Sequence, residues 1–244
     1  MLKALALGLL ALLSSSAAGA EIRIVTANLP PFSIDEHPDK PGFVVELAEA
    51  AFKRAGMPYQ LDFLPWARAQ ENAKTEPGTF ILGLARTPER EASYKWVAEV
   101  LQPKLVFVSV KPAAAVDDLA AARKLANITV RASTPFDNLL KTEQMTNFSA
   151  VQSEEANAER LRTKQADAWL TYDFRAIFVW DAMGGDADQL VYGKPLSREH
   201  LEIAANPKTD DAAIGKIVAA LAALRADGTY DTIYRRYFGQ YYGE

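Results

Sequence analysis

Two arginines, Arg86 and Arg90, belong to the segment Arg-Thr-Pro-Glu-Arg at 86–90, which follows a short β-rich run. An arginine at the end of a strand can hold a carboxylate through two parallel hydrogen bonds. The alternative is a solvent-exposed helix start with ordinary surface arginines, because charged side chains are common on protein surfaces. The residue types thus leave a carboxylate-binding site and an exposed surface as the two interpretations.

A second polar pair, Tyr172 and Asp173, follows an apolar run that ends near residue 170. An acidic side chain at this place can pair with a cationic group of a ligand. Aspartate is also a preferred residue at helix N-termini, so Asp173 is alternatively the N-cap of a helix over 174–182. Both interpretations stay open.

Composition and charge exclude several classes of function. The 244 residues are 49% hydrophobic and 24% charged, which is typical of a globular protein with one large domain or two small ones. A formal charge of −4 argues against general nucleic-acid binding, which needs a basic face. The chain has no cysteine, and its two histidines are His37 and His200, so we expect no metal and no cofactor.

The first 20 residues have the pattern of a secretory signal peptide. Lys3 precedes an apolar run over 4–13, and the small residues Ala18-Gly19-Ala20 end the segment. We expect cleavage before Glu21, which leaves a net charge of −5 because Lys3 is lost. The apolar run is too short for a confident membrane span. The expected destination is a bacterial periplasm, with an uncleaved N-terminal anchor as the alternative.

The spacing of apolar residues predicts alternating strands and helices, followed by an α/β pattern that restarts after about residue 111 and suggests a second lobe. The C-terminal helices have no predicted strand of their own, and we expect them to cover the first lobe. The predicted strands are 22–27, 59–64, 79–85, 105–110, 128–130 and 167–170, and the predicted helices are 43–55, 65–74, 212–226, 230–242 and one opened by Ser133-Thr134-Pro135.

Ligands of open α/β sheets bind beyond the carboxyl ends of the strands. The loops that follow the predicted strands are therefore the places where a site is expected. They cover 28–32, 64–68, 83–90, 131–134 and 169–173.

Several motifs, taken in order, resemble the bacterial extracellular solute-binding proteins of family 3, which are polar-amino-acid receptors of ABC importers. They are Pro-Pro-Phe at 30–32, Gly-Phe-Val-Val-Glu-Leu-Ala at 42–48, Arg-Thr-Pro-Glu-Arg at 86–90, Asp-Ala-Trp at 167–169 and the tail from Gly228 to Phe238. The resemblance covers about 21–242, and the segment Leu64–Ala69 indicates a divergent subgroup.

The resemblance implies an α/β, two-lobed periplasmic-binding-protein fold of type II, in which each lobe is a mostly parallel sheet flanked by helices. It places lobe 1 at 21–108, lobe 2 at 109–193 and a return to lobe 1 at 194–244, after the signal peptide 1–20. The implied hinge strands lie near 105–111 and 190–196. The implied partners are a small-molecule ligand and an inner-membrane ABC permease, and the protein is expected to be a monomer that binds no nucleic acid.

The resemblance also implies a set of ligand-binding residues. Arg90 matches the arginine that binds the ligand α-carboxylate, assisted by the backbone at Gly83 and Ala85. Ser133 and Thr134 match a small-residue turn in the second lobe, where a helix N-terminus suits an anion.

The sequence departs from the family pattern at two places. The family aspartate that binds the α-ammonium falls at Tyr172 by spacing, and Asp173 is one residue further on. Leu29 stands where many members have an aromatic residue that stacks on the ligand. Trp66 either supplies that platform from the next loop or packs between helix and sheet.

Two other functions remain open from the sequence. Relatives with this fold act as periplasmic cyclohexadienyl dehydratases, for which Glu46, Glu89 and Asp173 are the nearby acid–base candidates. The other possibility is a receptor that presents its ligand to a membrane sensor. Because no catalytic pair is evident, we expect a binding protein and not an enzyme.

Overall fold

The computed structural model describes residues 22–35 and 37–239. The expected signal peptide lies outside these residues, as does the end of the predicted helix 230–242. Within the described ranges, no helix has both the length and the apolar character needed to cross a bilayer.

Eleven strands and eight α-helices are described, together with 3₁₀ turns at Pro88–Ser93 and Ala187–Gln189. The strands are β1 (Ile22–Thr26), β2 (Tyr59–Phe63), β3 (Thr79–Ala85), β4 (Lys95–Leu101), β5 (Lys104–Val110), β6 (Ile128–Arg131), β7 (Phe148–Val151), β8 (Ala168–Tyr172), β9 (Leu190–Tyr192), β10 (Ser197–Arg198) and β11 (Leu201–Ala205). The helices are α1 (Phe43–Arg54), α2 (Trp66–Thr75), α3 (Leu119–Ala122), α4 (Pro135–Thr142), α5 (Glu154–Arg162), α6 (Asp173–Ala182), α7 (Asp211–Ala226) and α8 (Thr229–Phe238).

The strands form two sheets, which confirms the predicted α/β class with two lobes. The first sheet has the order β2-β1-β3-β11-β4, and the second has the order β10-β5-β8-β6-β7 with β9 also paired to β5. In each sheet one side is parallel, through β2-β1-β3 and through β8-β6-β7. Strands β11 and β5 pair antiparallel with their neighbours, because each enters its sheet directly from the other lobe.

The chain passes between the sheets at two adjacent points, 102–103 and 199–200. The Glu199 amide donates a hydrogen bond to the Pro103 carbonyl over 2.9 Å, so the two crossings lie side by side. The segments 105–111 and 190–196, which the resemblance suggested as the hinge, lie mostly within the second sheet. The apolar run of β5 is buried and paired along its length, and the polypeptide changes lobe only where this pairing ends.

The C-terminal helices return to the first lobe, as expected. The ring of Phe43 at the start of α1 lies 5.3 Å from that of Phe238 and 5.9 Å from that of Tyr234 in α8. The expectation that these helices have no strand of their own is wrong, because β11 precedes them and lies between β3 and β4. All five residues of β11 are buried, so the strand lacks the apolar–polar alternation that marks a half-exposed one.

Helix α6 joins the two lobes through aromatic packing. Phe174, which is 4% exposed, belongs to the apolar core of the first lobe although its helix follows a strand of the second sheet. Its ring lies 4.6 Å from Phe238 and 6.0 Å from Tyr234. The N-terminal end of α6 is thereby held against α8.

Candidate functional site

A cavity of about 220 Å³ lies between the lobes, where the loop after β1 faces the ends of β6 and β7 and the side of α6. Polar and charged groups from the second lobe dominate one wall, and the loop supplies the other. The lining residues are Asn28, Leu29, Pro30, Arg131, Ser153, Glu154, Glu155, Arg175, Phe178 and Val179.

Hydrogen bonds hold the loop over 28–33 against the first lobe. The amides of Phe43 and Val44 have no acceptor within α1, because they belong to its first turn. They donate to the carbonyls of Pro31 and Phe32 over 3.0 and 2.8 Å. The buried Ser33 hydroxyl donates to the Ala27 carbonyl over 2.6 Å. These bonds fix the position at which the loop meets the second lobe.

Trp66 lies at an adjoining cavity of about 460 Å³ in the first lobe. Asn28 and Leu29 line both cavities, so the two are neighbours along the same loop. Trp66 is half-buried and also packs against the core cluster beneath α2. The structure thus combines the two interpretations of this residue, because the indole covers the core and borders the cavity.

Arg175 is the most buried charged group of the interlobe cavity after Glu154, with 12% of its side chain exposed. Its Nε donates to the Pro30 carbonyl over 3.2 Å and its Nη1 to Glu154 Oε1 over 3.5 Å. Its guanidinium also lies near the rings of Tyr172 and Phe32, at 5.5 and 5.8 Å. Burial lowers the pKa of Arg175 from its ordinary value.

Tyr172 lies at the junction of the lobes. Its ring contacts Phe136 of α4 at 4.8 Å and Phe32 of the first lobe at 6.5 Å, both edge to face. Burial raises the pKa of its hydroxyl, so the group is neutral at physiological pH. Tyr172 thus offers an aromatic surface and no charge where the family pattern has an aspartate.

Asp173, the other candidate for an ammonium contact, is fully buried. Its Oδ1 accepts hydrogen bonds from the amides of Lys104 and Phe174 over 3.0 and 2.8 Å. Asp173 is the first residue of α6 and Tyr172 is the N-cap, so the alternative that Asp173 is the N-cap is wrong by one residue. The carboxylate ties the beginning of α6 to the beginning of β5.

Ser133 and Thr134 form the turn that begins α4, where a helix was predicted. Thr134 is the N-cap, and its hydroxyl accepts a bond from the Asp137 amide and donates one to the Arg131 carbonyl. The Ser133 amide donates to Asp137 Oδ2 over 3.0 Å. The Asp137 carboxylate therefore already accepts the hydrogen bond of the Ser133 amide, which the resemblance had assigned to a ligand anion.

Gly83, Ala85 and Arg90 lie together at the end of β3. Arg90 is half-buried, and its Nη1 donates to the Ala85 carbonyl over 2.9 Å. Gly83 has a φ of +67°, a conformation that glycine adopts without strain. This group is compact, but none of the three residues lines either of the two cavities.

Arg86 and the acid–base candidates are committed to contacts within the protein. Arg86 makes a bidentate pair with Glu91 and reaches Glu202, and its guanidinium lies 5.2 Å from the Trp96 ring. Glu46 pairs with Arg236 and accepts a bond from the Tyr237 hydroxyl.

Over the described part of the chain, no cluster of His, Cys, Asp and Glu side chains could hold a metal.

The sequence profile of the bacterial extracellular solute-binding proteins, family 3, matches residues 22–240. The chain belongs to this family. The resemblance seen in the sequence is thereby confirmed, and the family binds small-molecule solutes. No curated protein sequence gives a significant match.

Solved structures of this family's fold superpose over most of the chain. An ancestral cationic amino acid solute-binding protein, a precursor of cyclohexadienyl dehydratase, is 21% identical, with 89% of this chain and 95% of that chain covered and a TM-score of 0.73. The arginine-, lysine-, histidine-binding protein of Geobacillus stearothermophilus is 18% identical, with 90% and 96% covered and a TM-score of 0.64.

A histidine kinase sensor domain with similarity to periplasmic binding proteins is 16% identical to this chain. The superposition covers 90% of this chain and 96% of the sensor domain, with a TM-score of 0.65. At these identities, the likeness establishes the two-lobed fold alone.

Sequence reasoning missed Arg175 and passed over Arg131, although both line the interlobe cavity. Arg131 is the last residue of β6 and the first residue of the segment 131–134, where a site was expected. Arg175 carried a weaker signal, as the one charged side chain in the apolar stretch from Phe174 to Trp180. A charge inside an apolar helical run indicates a buried partner or a ligand.

Proposed function

We propose that the protein is a periplasmic receptor that captures a small polar solute, an amino acid or a related carboxylate, and delivers it to an ABC importer. The observation that supports this proposal is the polar cavity between the lobes, to which both lobes contribute. Membership of a solute-binding family supports the same function. Delivery to a permease is consistent with the expected export signal.

Binding would work by closure of the lobes around the solute. The solute bridges the two lobes, and only contacts that are better in the closed form shift the open–closed equilibrium. The paired crossings at 102–103 and 199–200 are the places where the chain can bend without breaking either sheet. Exclusion of water from the cavity strengthens the charge pairs made to the solute.

We propose binding without turnover. An acid–base reaction needs a titratable group that can reach the substrate. Asp173 is buried and bonded to backbone amides, and Glu46 is paired with Arg236. The Thr87 hydroxyl lowers the pKa of Glu89, which is the opposite of what a general acid at neutral pH requires.

The first experiment is a thermal-shift screen of the protein starting at Glu21 against amino acids, other organic acids and amines, with calorimetry of the hits. A bound solute raises the melting temperature by mass action. Absence of any stabilising solute would count against the receptor function. Conversion of a hit, followed by chromatography, would instead favour an enzyme, and a response only with a sensor protein would favour signalling.

The second experiment replaces Arg90 by alanine. The resemblance places a solute carboxylate on Arg90, which lines neither cavity, and this role predicts at least a tenfold loss of affinity because a charge-assisted pair is lost. Arg123→Ala is the matched control, since Arg123 is exposed and pairs with Glu143 away from both cavities. An unchanged calorimetric affinity in Arg90→Ala would remove this residue from the site.

A further inference from the structure

The guanidinium of Arg175 is buried with few partners. An arginine carries five N–H donors, and Arg175 uses two of them among the described residues, one on Pro30 and one on Glu154. The second bond is long, at 3.5 Å. Burial of a charge is costly unless hydrogen bonds compensate for lost water. Three unused donors at a cavity wall therefore leave room for an acceptor that the protein does not supply.

A second arginine faces the same cavity. Arg131 is exposed, and its guanidinium makes no hydrogen bond or ion pair with any residue in 22–35 or 37–239. Its charge is close enough to Arg175 to help lower the pKa of that group. Two like charges facing one cavity repel each other, and an anion between them would relieve the repulsion.

The acidic groups of the cavity do not cancel this arrangement. Glu154 is 6% exposed, and its carboxylate accepts hydrogen bonds from Arg175 and from the side-chain amide of Asn157. Glu155 is exposed and lies in the first turn of α5, where the helix dipole already stabilises a negative charge. Neither carboxylate contacts Arg131.

We propose that Arg175 and Arg131 form a carboxylate-binding subsite in the second lobe, separate from Arg90. The subsite belongs to the solute-binding function proposed above and rests on it. The carboxylate takes the unused donors of Arg175 and neutralises Arg131, while the Pro30 carbonyl closes the cavity from the first lobe. A solute held this way contacts both lobes at the point where they meet.

The size of the cavity limits the solute. At about 220 Å³ it is smaller than the 300–1,000 Å³ of drug-sized sites, so it suits a small metabolite or one end of a longer one. The carboxylate can belong to an amino acid, whose ammonium group would then face Glu155, or to a dicarboxylate. The two sources share the same anionic group and differ only in the group at the other end of the molecule.

The direct test uses acetate as the probe and ¹⁵N NMR of the arginine Nε–H groups as the readout. Signals are assigned by loss in Arg131→Lys and Arg175→Lys. We expect the signals of Arg175 and Arg131 to shift saturably with sodium acetate and not with sodium chloride at equal ionic strength. The signal of Arg123 in the same spectra is the internal control. Arginine signals that do not respond to acetate would overturn the subsite, even if the solute screen finds a ligand.

A matched series of five-carbon probes distinguishes the sources of the carboxylate. Glutarate, 5-aminopentanoate and 1,5-diaminopentane share one chain length and carry two, one and no carboxylates. Competition with acetate by the first two and not by the diamine supports the subsite, and the stronger competitor identifies the source. Displacement of acetate by the diamine alone would contradict it.

Arg131 is exposed, so its substitution tests the subsite without disturbing the core. We expect Arg131→Gln to weaken acetate and carboxylate binding about tenfold or more without loss of folding, because its exposed side chain makes no hydrogen bond or ion pair among the described residues. Arg123→Gln makes the same charge change outside the cavity and should keep the affinity. Equal losses in both variants would mean that net charge, and not the subsite, governs binding. A solute that still binds normally to Arg131→Gln would leave the receptor function intact and refute the subsite.

Discussion

Two neighbouring residues, Tyr172 and Asp173, have opposite surroundings where the lobes meet, and neither lines the interlobe cavity. Tyr172 ends β8 and turns its ring towards both lobes, whereas Asp173 begins α6 and is buried under backbone amides. The direction of a side chain depends on where the strand ends and the helix begins, and a shift of one residue exchanges the two positions. The uncertainty between these residues could not be resolved by spacing alone.

Asp227 gives a residue-scale prediction about pH. The Thr229 hydroxyl and the Thr229 amide, the latter over 3.0 Å, donate hydrogen bonds to its carboxylate, and Arg54 pairs with it; these contacts lower the pKa of Asp227 to about 2. The charged form is thus favoured in the folded state, so the stabilisation is present above the unfolded pKa of about 3.9 and is lost as the pH falls towards 2.

We expect Asp227→Asn to be less stable than the wild type at pH 6, with a difference that shrinks towards pH 2. Urea unfolding at several pH values measures this change. Asp39→Asn is the control, because Asp39 is exposed, lies outside the helices and makes no ion pair among the described residues. A difference that stays constant with pH would contradict the assigned contact.

At the scale of elements, most of the α/β alternation could be predicted. Strands and helices with a one-sided apolar pattern, such as α1 and β3, lie within one or two residues of their predicted bounds. Strand β11 was missed because it is buried throughout, and α5 because its first turns are almost entirely polar. Patterns identify elements with one exposed face, whereas buried or charged elements need the tertiary structure.

The packing of α6 on α8 gives the element-scale prediction. Phe174→Ala removes a buried ring between Tyr234 and Phe238, and we expect it to lower the free energy of unfolding by about 3–5 kcal/mol. Chemical denaturation followed by circular dichroism measures the change. Val218→Ala on α7 should have little effect, since Val218 is 42% exposed. A similarly small effect for Phe174→Ala would mean that this contact does not hold the lobes.

On the scale of the whole molecule, the two sheets are joined by two adjacent crossings, by the ring contacts of Phe174 and Tyr172 with the first lobe, and by the hydrogen bond from Arg175 to Pro30. Such a connection permits rotation of one lobe against the other, while each core stays intact. The polar cavity lies where the rotation would open or close the molecule. Solute binding and lobe closure are therefore expected to be one process.

The whole-molecule prediction concerns this coupling. A solute that stabilises the protein, added at 100 times its Kd, should raise the free energy of unfolding by about 2.7 kcal/mol. The same solute should reduce the radius of gyration in small-angle X-ray scattering, because it selects the closed form. A solute from the screen that does not bind is the control. Stabilisation without compaction would contradict closure as the response to binding.

The sequence by itself determined the family, the two-lobed α/β class and the loops in which a site had to lie. These conclusions come from local patterns, since periodicity and motif order are properties of short segments. Only the tertiary structure decided that Asp173 is buried, that the Ser133 amide is already occupied, and that Arg131 and Arg175 face one cavity. Those facts depend on contacts between residues far apart in the chain, and no local pattern records which side chains meet.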